Sequence, residues 1–123
     1  MSSPVPALSA VPETIPAVLG TVLIATVFYG LTAHIAARYV LGDVRIEHGL
    51  MVGAVPAVII VVGVQLLGAG AGLVLVVLAA IVADFLAIER LYDTERRFAA
   101  MITVVHFAIS VLLGSVLGSM FVA

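Results

Sequence analysis

The chain of 123 residues contains no cysteine, lysine, asparagine or tryptophan. The missing cysteines exclude disulfides and thiolate metal sites, the missing lysines exclude Schiff-base chemistry, and the missing asparagines exclude N-glycosylation. Charge is also scarce, because five arginines oppose seven acidic residues for a formal net charge of −2. This balance offers no basic field to nucleic acid, so we expect no nucleic-acid partner.

The chain consists mainly of apolar residues. The chain is 64% hydrophobic and 10% charged, and its mean hydropathy is +1.37. Soluble domains are about half apolar and about one quarter charged. The composition therefore indicates an integral membrane protein, with the lipid bilayer as its surroundings.

Three stretches carry no Asp, Glu, Lys or Arg: residues 14–37, 49–83 and 98–123, of 24, 35 and 26 residues. About 20 apolar residues cross a bilayer as a helix, so the middle stretch must fold back, and the glycine-rich segment 68–72 suits that turn. The sequence predicts an all-α integral membrane four-helix bundle of two transmembrane hairpins. Its spans are expected at about 16–41, 48–67, 72–92 and 95–122, after a disordered, proline-rich extracytoplasmic tail at 1–15.

The arginines predict the orientation of these spans. All five flank the first and third connections, and the tail, the glycine-rich turn and the C-terminus have none. The positive-inside rule places such connections in the cytoplasm. We expect a multi-pass protein of the cell membrane with both termini outside the cytoplasm, and with these topology-determining residues: Arg38, Arg45, Arg90, Arg96 and Arg97.

Small residues recur at a spacing of four on three of the predicted helices. Such stripes let helices approach closely in lipid, where apolar burial alone does not drive association. There are more of them than one bundle needs, so we expect a homo-oligomer or a larger membrane-protein partner. The predicted packing residues are Gly49 and Gly53 on the second helix, Ala79, Ala83 and Ala87 on the third, and Gly114 and Gly118 on the fourth.

An internal repeat is indicated at an offset of 50 residues. The offset aligns two hairpins of the same orientation, which implies a pseudo-twofold axis along the membrane normal. The residues that indicate it are Leu41 with Leu91, Asp43 with Asp93, and His34 with Asp84.

Polar side chains within the predicted spans are the candidate site. His34, Asp84 and His106 lie eight or nine residues from the arginine-bearing connections, roughly 12 to 14 Å deep. Thr103 and Ser110 extend the polar stripe on the fourth helix. A charged Asp84 costs about 2.5 to 3.5 kcal/mol near a span centre, so we expect it to face the interior beside a histidine.

Four interpretations of this intramembrane polar cluster remain open. It could hold the helices together by hydrogen bonds, relay protons or ions, bind haem b between His34 and His106, or bind a metal together with Asp84. Neither haem nor metal has a supporting motif, so we expect no cofactor and no metal site.

Short segments resemble a known group of proteins. Arginine without lysine and spans rich in alanine, valine and glycine resemble proteins of salt-loving archaea. Residues 39–43 (YVLGD), 104–106 (VVH) and 110–114 (SVLLG) look similar to small haloarchaeal four-span membrane proteins of uncharacterised function. The resemblance implies a four-span fold and carries no activity with it.

The short connections and the lack of a nucleophile–base arrangement indicate that the protein is not an enzyme and has no catalytic residues. The packing stripes favour a packing or accessory subunit of a homo- or hetero-oligomeric membrane complex. The first alternative is a proton-coupled or ion-conducting oligomeric transporter or channel that uses Asp84 with His34 and His106. The second is a haem-binding membrane anchor subunit.

Overall fold

A computed structural model describes residues 14–68 and 70–122. Its helices are α1 (Ile15–Leu41), α2 (Ile46–Leu67), α3 (Gly72–Leu91) and α4 (Arg96–Val122). The predicted all-α four-helix fold is confirmed, and the expected bounds differ from these by two residues at most. Most of the predicted tail, residues 1–13, lies outside the described residues, and its last expected residue, Ile15, begins α1.

The helices form a four-membered ring. Each packs against its neighbours along the chain, α1 also packs against α4, and no contact crosses the diagonal within the described part of the chain. Short connections make successive helices antiparallel. The connections 42–45 and 92–95 therefore share one end, called here the loop end, while the glycine-rich turn lies at the opposite end, called here the outer end.

Local backbone chemistry sets where the helices begin and end. The Ala17 N–H donates to the side chain of Thr14, which caps α1. Gly42 and Gly68 end α1 and α2 with φ of 90° and 78°, a region that suits glycine. After α3 the chain passes through a left-handed residue, Asp93, with φ of 49°. Aspartate tolerates this conformation better than most residues, because its short polar side chain bonds locally.

All four helices are long and apolar enough to cross a membrane. Large apolar side chains cover the outside of the bundle; Leu23, Leu75 and Val104 are each more than 60% exposed. A continuous apolar surface of this kind suits lipid, whereas in water it would drive aggregation. The backbone polar groups are bonded within the helices, as a bilayer requires.

The α1–α2 interface is the tightest in the molecule. A Cβ atom added to Gly53 would overlap the backbone of Gly30, and one added to Gly49 would lie 2.9 Å from the His34 Cβ. Gly30 in turn faces the backbone of Leu50. The two backbones touch because glycine occupies the crossing point.

The predicted small stripe on α3 does not form its buried face. Ala79 is exposed and Ala83 and Ala87 are half-buried, whereas every fourth residue from Val76, including Asp84, is buried. The physical reason is that a carboxylate costs far more in lipid than an alanine, so Asp84 decides which face of α3 turns inward.

The predicted stripe on α4 also lies outside the packing within this chain. Gly114 and Gly118 are exposed; a Cβ on Gly114 would reach only the Phe28 ring at 4.0 Å, and one on Gly118 would meet nothing. α4 has 27 residues and α3 has 20, so the last turns of α4 extend beyond their neighbour.

The structure supports the 50-residue repeat. α1 and α3 end 50 residues apart, and α2 and α4 begin 50 residues apart. Buried positions follow the same offset, which relates the hairpin α1–α2 to the hairpin α3–α4. The matching buried pairs are Gly49 with Ala99, Val52 with Ile102, Gly53 with Thr103, and Pro56 with His106.

Candidate intramembrane polar site

The predicted polar residues meet at one pair of side chains between α3 and α4. The Nδ1 of His106 lies 2.7 Å from the Oδ2 of Asp84, a hydrogen-bond distance. The two residues are 3% and 5% exposed, so water reaches neither freely. The imidazole is therefore the partner that a buried carboxyl group needs in an apolar bundle.

The pair has two charge states that differ by one proton. With Asp84 ionised and His106 neutral, the Nδ1–H donates to the carboxylate and the net charge is −1. One more proton makes the pair neutral overall, either as an ion pair or as two uncharged groups. A single proton thus decides whether the bundle interior carries charge.

Each member of the pair also has an atom left over. The Oδ1 of Asp84 and the Nε2 of His106 are buried and have no hydrogen-bond partner among the described residues. Buried polar atoms are normally satisfied, so unsatisfied ones in a native fold call for a ligand, a water or a proton. The pair has more hydrogen-bonding capacity than joining two helices requires.

A cavity of about 390 Å³ adjoins the pair and is lined by residues from all four helices. Its polar lining includes Asp84, Thr103, His106 and Ser110, and its walls are mostly apolar. It extends along α4 to Ser115, nine residues or roughly 13 Å beyond His106 toward the outer end. This volume suits a file of waters or one small organic molecule.

Tyr29 on α1 orients the imidazole. Its ring meets the His106 ring edge to face, with centroids 6.2 Å apart, and Phe28 packs against Tyr29 at 5.3 Å. Tyr29 also lines the cavity. The sequence reasoning missed this residue, although an aromatic ring one position before the buried Gly30 was a signal for a contact in the bundle interior.

The loop end beneath the pair is closed by apolar packing. Fully buried Ile88 and Ile102 belong to a core cluster there, and Tyr92 packs against that cluster. The Tyr92 ring meets the His48 ring at 5.7 Å. Burial, together with the negative charge of Asp84, raises the pKa of Tyr92 to about 12. Its phenol therefore stays protonated at neutral pH.

Thr103 and Ser110 make hydrogen bonds of a structural kind. The Thr103 hydroxyl donates to the Ala99 carbonyl on its own helix at 2.8 Å. The Ser110 hydroxyl donates to Thr32 Oγ1 at 3.1 Å and so joins α4 to α1. The sequence analysis did not single out Thr32, although a threonine inside a span was the signal.

His34 lies apart from the pair in its bonding. It packs against Gly49 in the α1–α2 interface, and its buried Nδ1 has no partner in the described structure. The expected layer of three residues thus contains one bonded pair. The described residues include no group of three His, Asp or Glu side chains placed to hold a metal ion.

The arginines lie at the loop end, and all five are exposed. Three of them pair with glutamates, and one of these pairs joins the end of α3 to the start of α4 at 3.3 Å. Exposed pairs of this kind add little stability. The ion pairs are Arg45 with Glu47, Arg96 with Glu89, and Arg97 with Glu95.

The chain is a small all-α four-helix protein whose helices have the length and hydropathy of membrane spans, with a carboxyl–imidazole pair buried among them. The chain belongs to the Family of unknown function (DUF7473), which matches residues 12–123. No curated protein and no solved structure matches the chain. Family membership carries no activity, so function must be argued from the site.

Proposed function

We propose that the protein is a proton-coupled membrane transporter or ion-conducting oligomer whose proton-binding group is the Asp84–His106 pair. The observation that carries this proposal is the pair itself, buried at a 2.7 Å separation on the wall of a half-open cavity lined by all four helices. Ionisable residues inside a membrane span are costly, and they commonly mark pathways for ions or protons.

The alternative role of the pair is to hold α3 and α4 together. A purely structural hydrogen bond between spans contributes about 0.6 kcal/mol on average, and it needs no adjoining cavity. Here the cavity lies beside the pair, and neither leftover atom has a hydrogen-bond partner within residues 14–68 and 70–122. These two features favour a group that exchanges protons over a group that only fixes helix register.

The closed loop end favours a carrier over a permanently open channel. Ile88 and Ile102 are fully buried between the pair and the arginine-bearing connections. Along α4 the cavity lining continues from His106 to Ser115, toward the outer end. A closed loop end suits a carrier, since alternating access exposes a site to one side at a time.

We further propose that the protein lies in the cell membrane with both termini outside the cytoplasm. This orientation rests on the five arginines at the loop end and on the positive-inside rule. In this orientation the cavity extends from the pair toward the extracytoplasmic side.

The test is proton movement across the membrane of liposomes that contain the purified protein and a trapped pH-sensitive dye. Sodium, potassium and an organic ammonium ion are supplied outside in turn. We expect proton movement in wild type and its loss in Asp84→Asn, which keeps the shape of the side chain. Asp43→Asn, an equal change in the exposed first connection, is the matched control. Equal proton movement in wild type and Asp84→Asn with every cation would contradict the proposal.

A second candidate function is a packing or accessory subunit in a homo-oligomer or with a larger membrane protein. The observation that favours it is the exposed outer part of α4, where Gly118 faces open space. We expect Gly118→Leu to lower the native mass of the complex in mild detergent. Ala108→Leu, another exposed position on α4, serves as the control. An unchanged mass in both variants would remove support for this candidate.

A further inference from the structure

The cavity has a chemical character that points to one class of ligand. Among the described residues no arginine lines it, and the chain has no lysine, so in this part of the chain Asp84 is its only source of formal charge apart from the imidazole. When the pair has a net charge of −1, the His106 Nδ1–H is used by the carboxylate. The atoms left over, Asp84 Oδ1 and His106 Nε2, are then both acceptors.

Two acceptors with a negative charge are complementary to a cation that carries several N–H donors. An ammonium group has three donors and one positive charge, so it can donate to a leftover acceptor and balance the negative charge of the pair. An anion, or a neutral molecule with acceptors only, would leave them unsatisfied. A metal ion would find one oxygen and one nitrogen here, since no third His, Asp or Glu joins them among the described residues.

The rest of the cavity lining is apolar and therefore favours a cation whose other atoms are apolar. Tyr29 and Phe107 present aromatic rings, and Ile60, Val77 and Val111 add aliphatic surface. Aromatic rings attract cations, and this attraction is stronger away from water. A volume of about 390 Å³ lies near the lower end of the range for small-molecule sites.

We propose that this cavity binds a small apolar amine in its protonated form, with the ammonium group beside the Asp84 carboxylate, and exchanges it for a proton. The inference rests on the proposed function and names its substrate class. In the exchange, a proton joins the pair as the ammonium ion leaves with its own positive charge. No covalent bond forms or breaks apart from proton transfer to the pair, and total charge is conserved.

The exchange follows from the two charge states of the pair. Protonation removes the net negative charge, and a protonated imidazole presents its Nε2 as a donor that repels the ammonium group. The proton and the amine therefore compete for one site. Competition at a single site is the simplest coupling between two transported ions, because occupancy by one excludes the other.

Few other titratable groups face the pair. α1 contributes Tyr29 against the imidazole, and Tyr92, directly after α3, lies toward the loop end. Among the described residues, the lining contributed by α2 has no titratable side chain, and that contributed by α4 has none besides His106. His34 packs on Gly49 and His48 on Tyr92, so a pH dependence that Asp84→Asn removes would report on the pair.

The experiment measures binding of phenethylammonium to the full-length protein in detergent or nanodiscs, by calorimetry, over a range of pH. We expect affinity to fall as the pair takes up a proton, by about tenfold per pH unit at the steepest point. We also expect wild type to release protons when the amine binds. Phenethyltrimethylammonium keeps the charge and loses the N–H donors, so it should bind at least about tenfold more weakly.

Two variants keep the test decisive. Asp84→Asn should abolish phenethylammonium binding, and Asp43→Asn should leave it unchanged. Because Asp84→Asn could disturb folding, Ser115→Phe provides a second variant: it fills the outer end of the cavity at an exposed position. Ser115→Phe should weaken amine binding while its helix content equals that of wild type.

The outcomes separate this inference from the proposed function. Amine binding that is absent, or that does not change with pH, would overturn the inference. If Asp84-dependent proton movement persists with sodium or potassium, the proposed function still stands. If proton movement and amine binding are both independent of Asp84, both proposals fail.

Discussion

The hairpins α1–α2 and α3–α4 share the same spacing but pack differently. In the first, glycines 30, 49 and 53 bring the two backbones into contact. Fifty residues later the corresponding positions are Ala80, Ala99 and Thr103, which are larger. α1 and α2 accordingly make the most extensive contact in the bundle, and α3 and α4 make the least.

Because of this difference, the first hairpin forms a tight backbone contact and the second hairpin holds the candidate polar site. Where α1 and α2 touch, the Cβ of His34 packs closely against Gly49. Where α3 and α4 stand apart, the position equivalent to His34 is Asp84, and His106 is equivalent to Pro56, which lies inside α2. A few extra methyl groups at the crossing point leave room for the cavity, and the polar pair lies on its wall.

We expect the largest loss of stability from a substitution that disrupts the close contact between α1 and α2. Gly53→Ala places a Cβ against the Gly30 backbone, which cannot move aside as a flexible side chain would. We expect a loss of about 3 kcal/mol in unfolding free energy, at the upper end for overpacking. Denaturant unfolding in detergent measures it, with Gly118→Ala at an open position as the control. Equal unfolding free energies of Gly53→Ala and Gly118→Ala would contradict the close contact between Gly53 and Gly30.

The next prediction compares proton movement in variants of His106 and His34. His106→Ala removes the partner of Asp84, whereas His34→Ala keeps the Cβ that packs on Gly49. We expect His106→Ala to reduce proton movement at least about tenfold, as loss of one buried charge-assisted hydrogen bond can do. His34→Ala should stay within about twofold of wild type. Similar losses in both would show that the two hairpins share the function.

A smaller effect concerns the loop end of the second hairpin. The pKa of Tyr92 is raised to about 12 from an ordinary value of 10.0, so the folded protein holds this proton more tightly than the unfolded chain. The resulting stability is fully present below pH 10 and is lost as the pH rises toward 12. Tyr92→Phe should lack this alkaline loss in unfolding measurements, and an identical pH profile would contradict the assignment.

The last prediction concerns haem binding, for which we expect no spectroscopic change. His106 is held by Asp84 between α3 and α4, whereas His34 packs in the α1–α2 interface. We therefore expect no Soret band after expression with supplemented haem. A band that His34→Ala and His106→Ala both remove would instead support the haem-binding anchor hypothesis.

Charge gaps and glycines in the sequence predicted the helices well. A charged residue marks where a span must stop, so the four-helix fold and its bounds could be read from the positions of arginines, acids and turn glycines. The burial of Asp84 beside His106 could also be anticipated, because an unpaired carboxylate in lipid is costly.

The sequence did not predict which face of α3 is buried, nor which of the polar residues bonds to His106. The alanine stripe on α3 lies one position from the buried face, since a periodic pattern alone does not say which of two neighbouring faces turns inward. His34 and Asp84 occupy equivalent depths, yet only Asp84 bonds to His106. That choice depends on the glycine contact of the first hairpin, a tertiary feature that sequence spacing does not reveal.

The most direct test of the central claim uses the absence of native cysteine. Thr103 lines the cavity in the second hairpin, whereas Thr32, a fully buried threonine of the first hairpin, lies behind the lining residue Ser110 and does not line the cavity itself. Single Thr103→Cys and Thr32→Cys variants are exposed to a small water-soluble thiol reagent in liposomes. We expect labelling of the Thr103→Cys protein and protection of the Thr32→Cys protein. Equal labelling, or protection of both, would contradict a reagent-accessible cavity beside the Asp84–His106 pair.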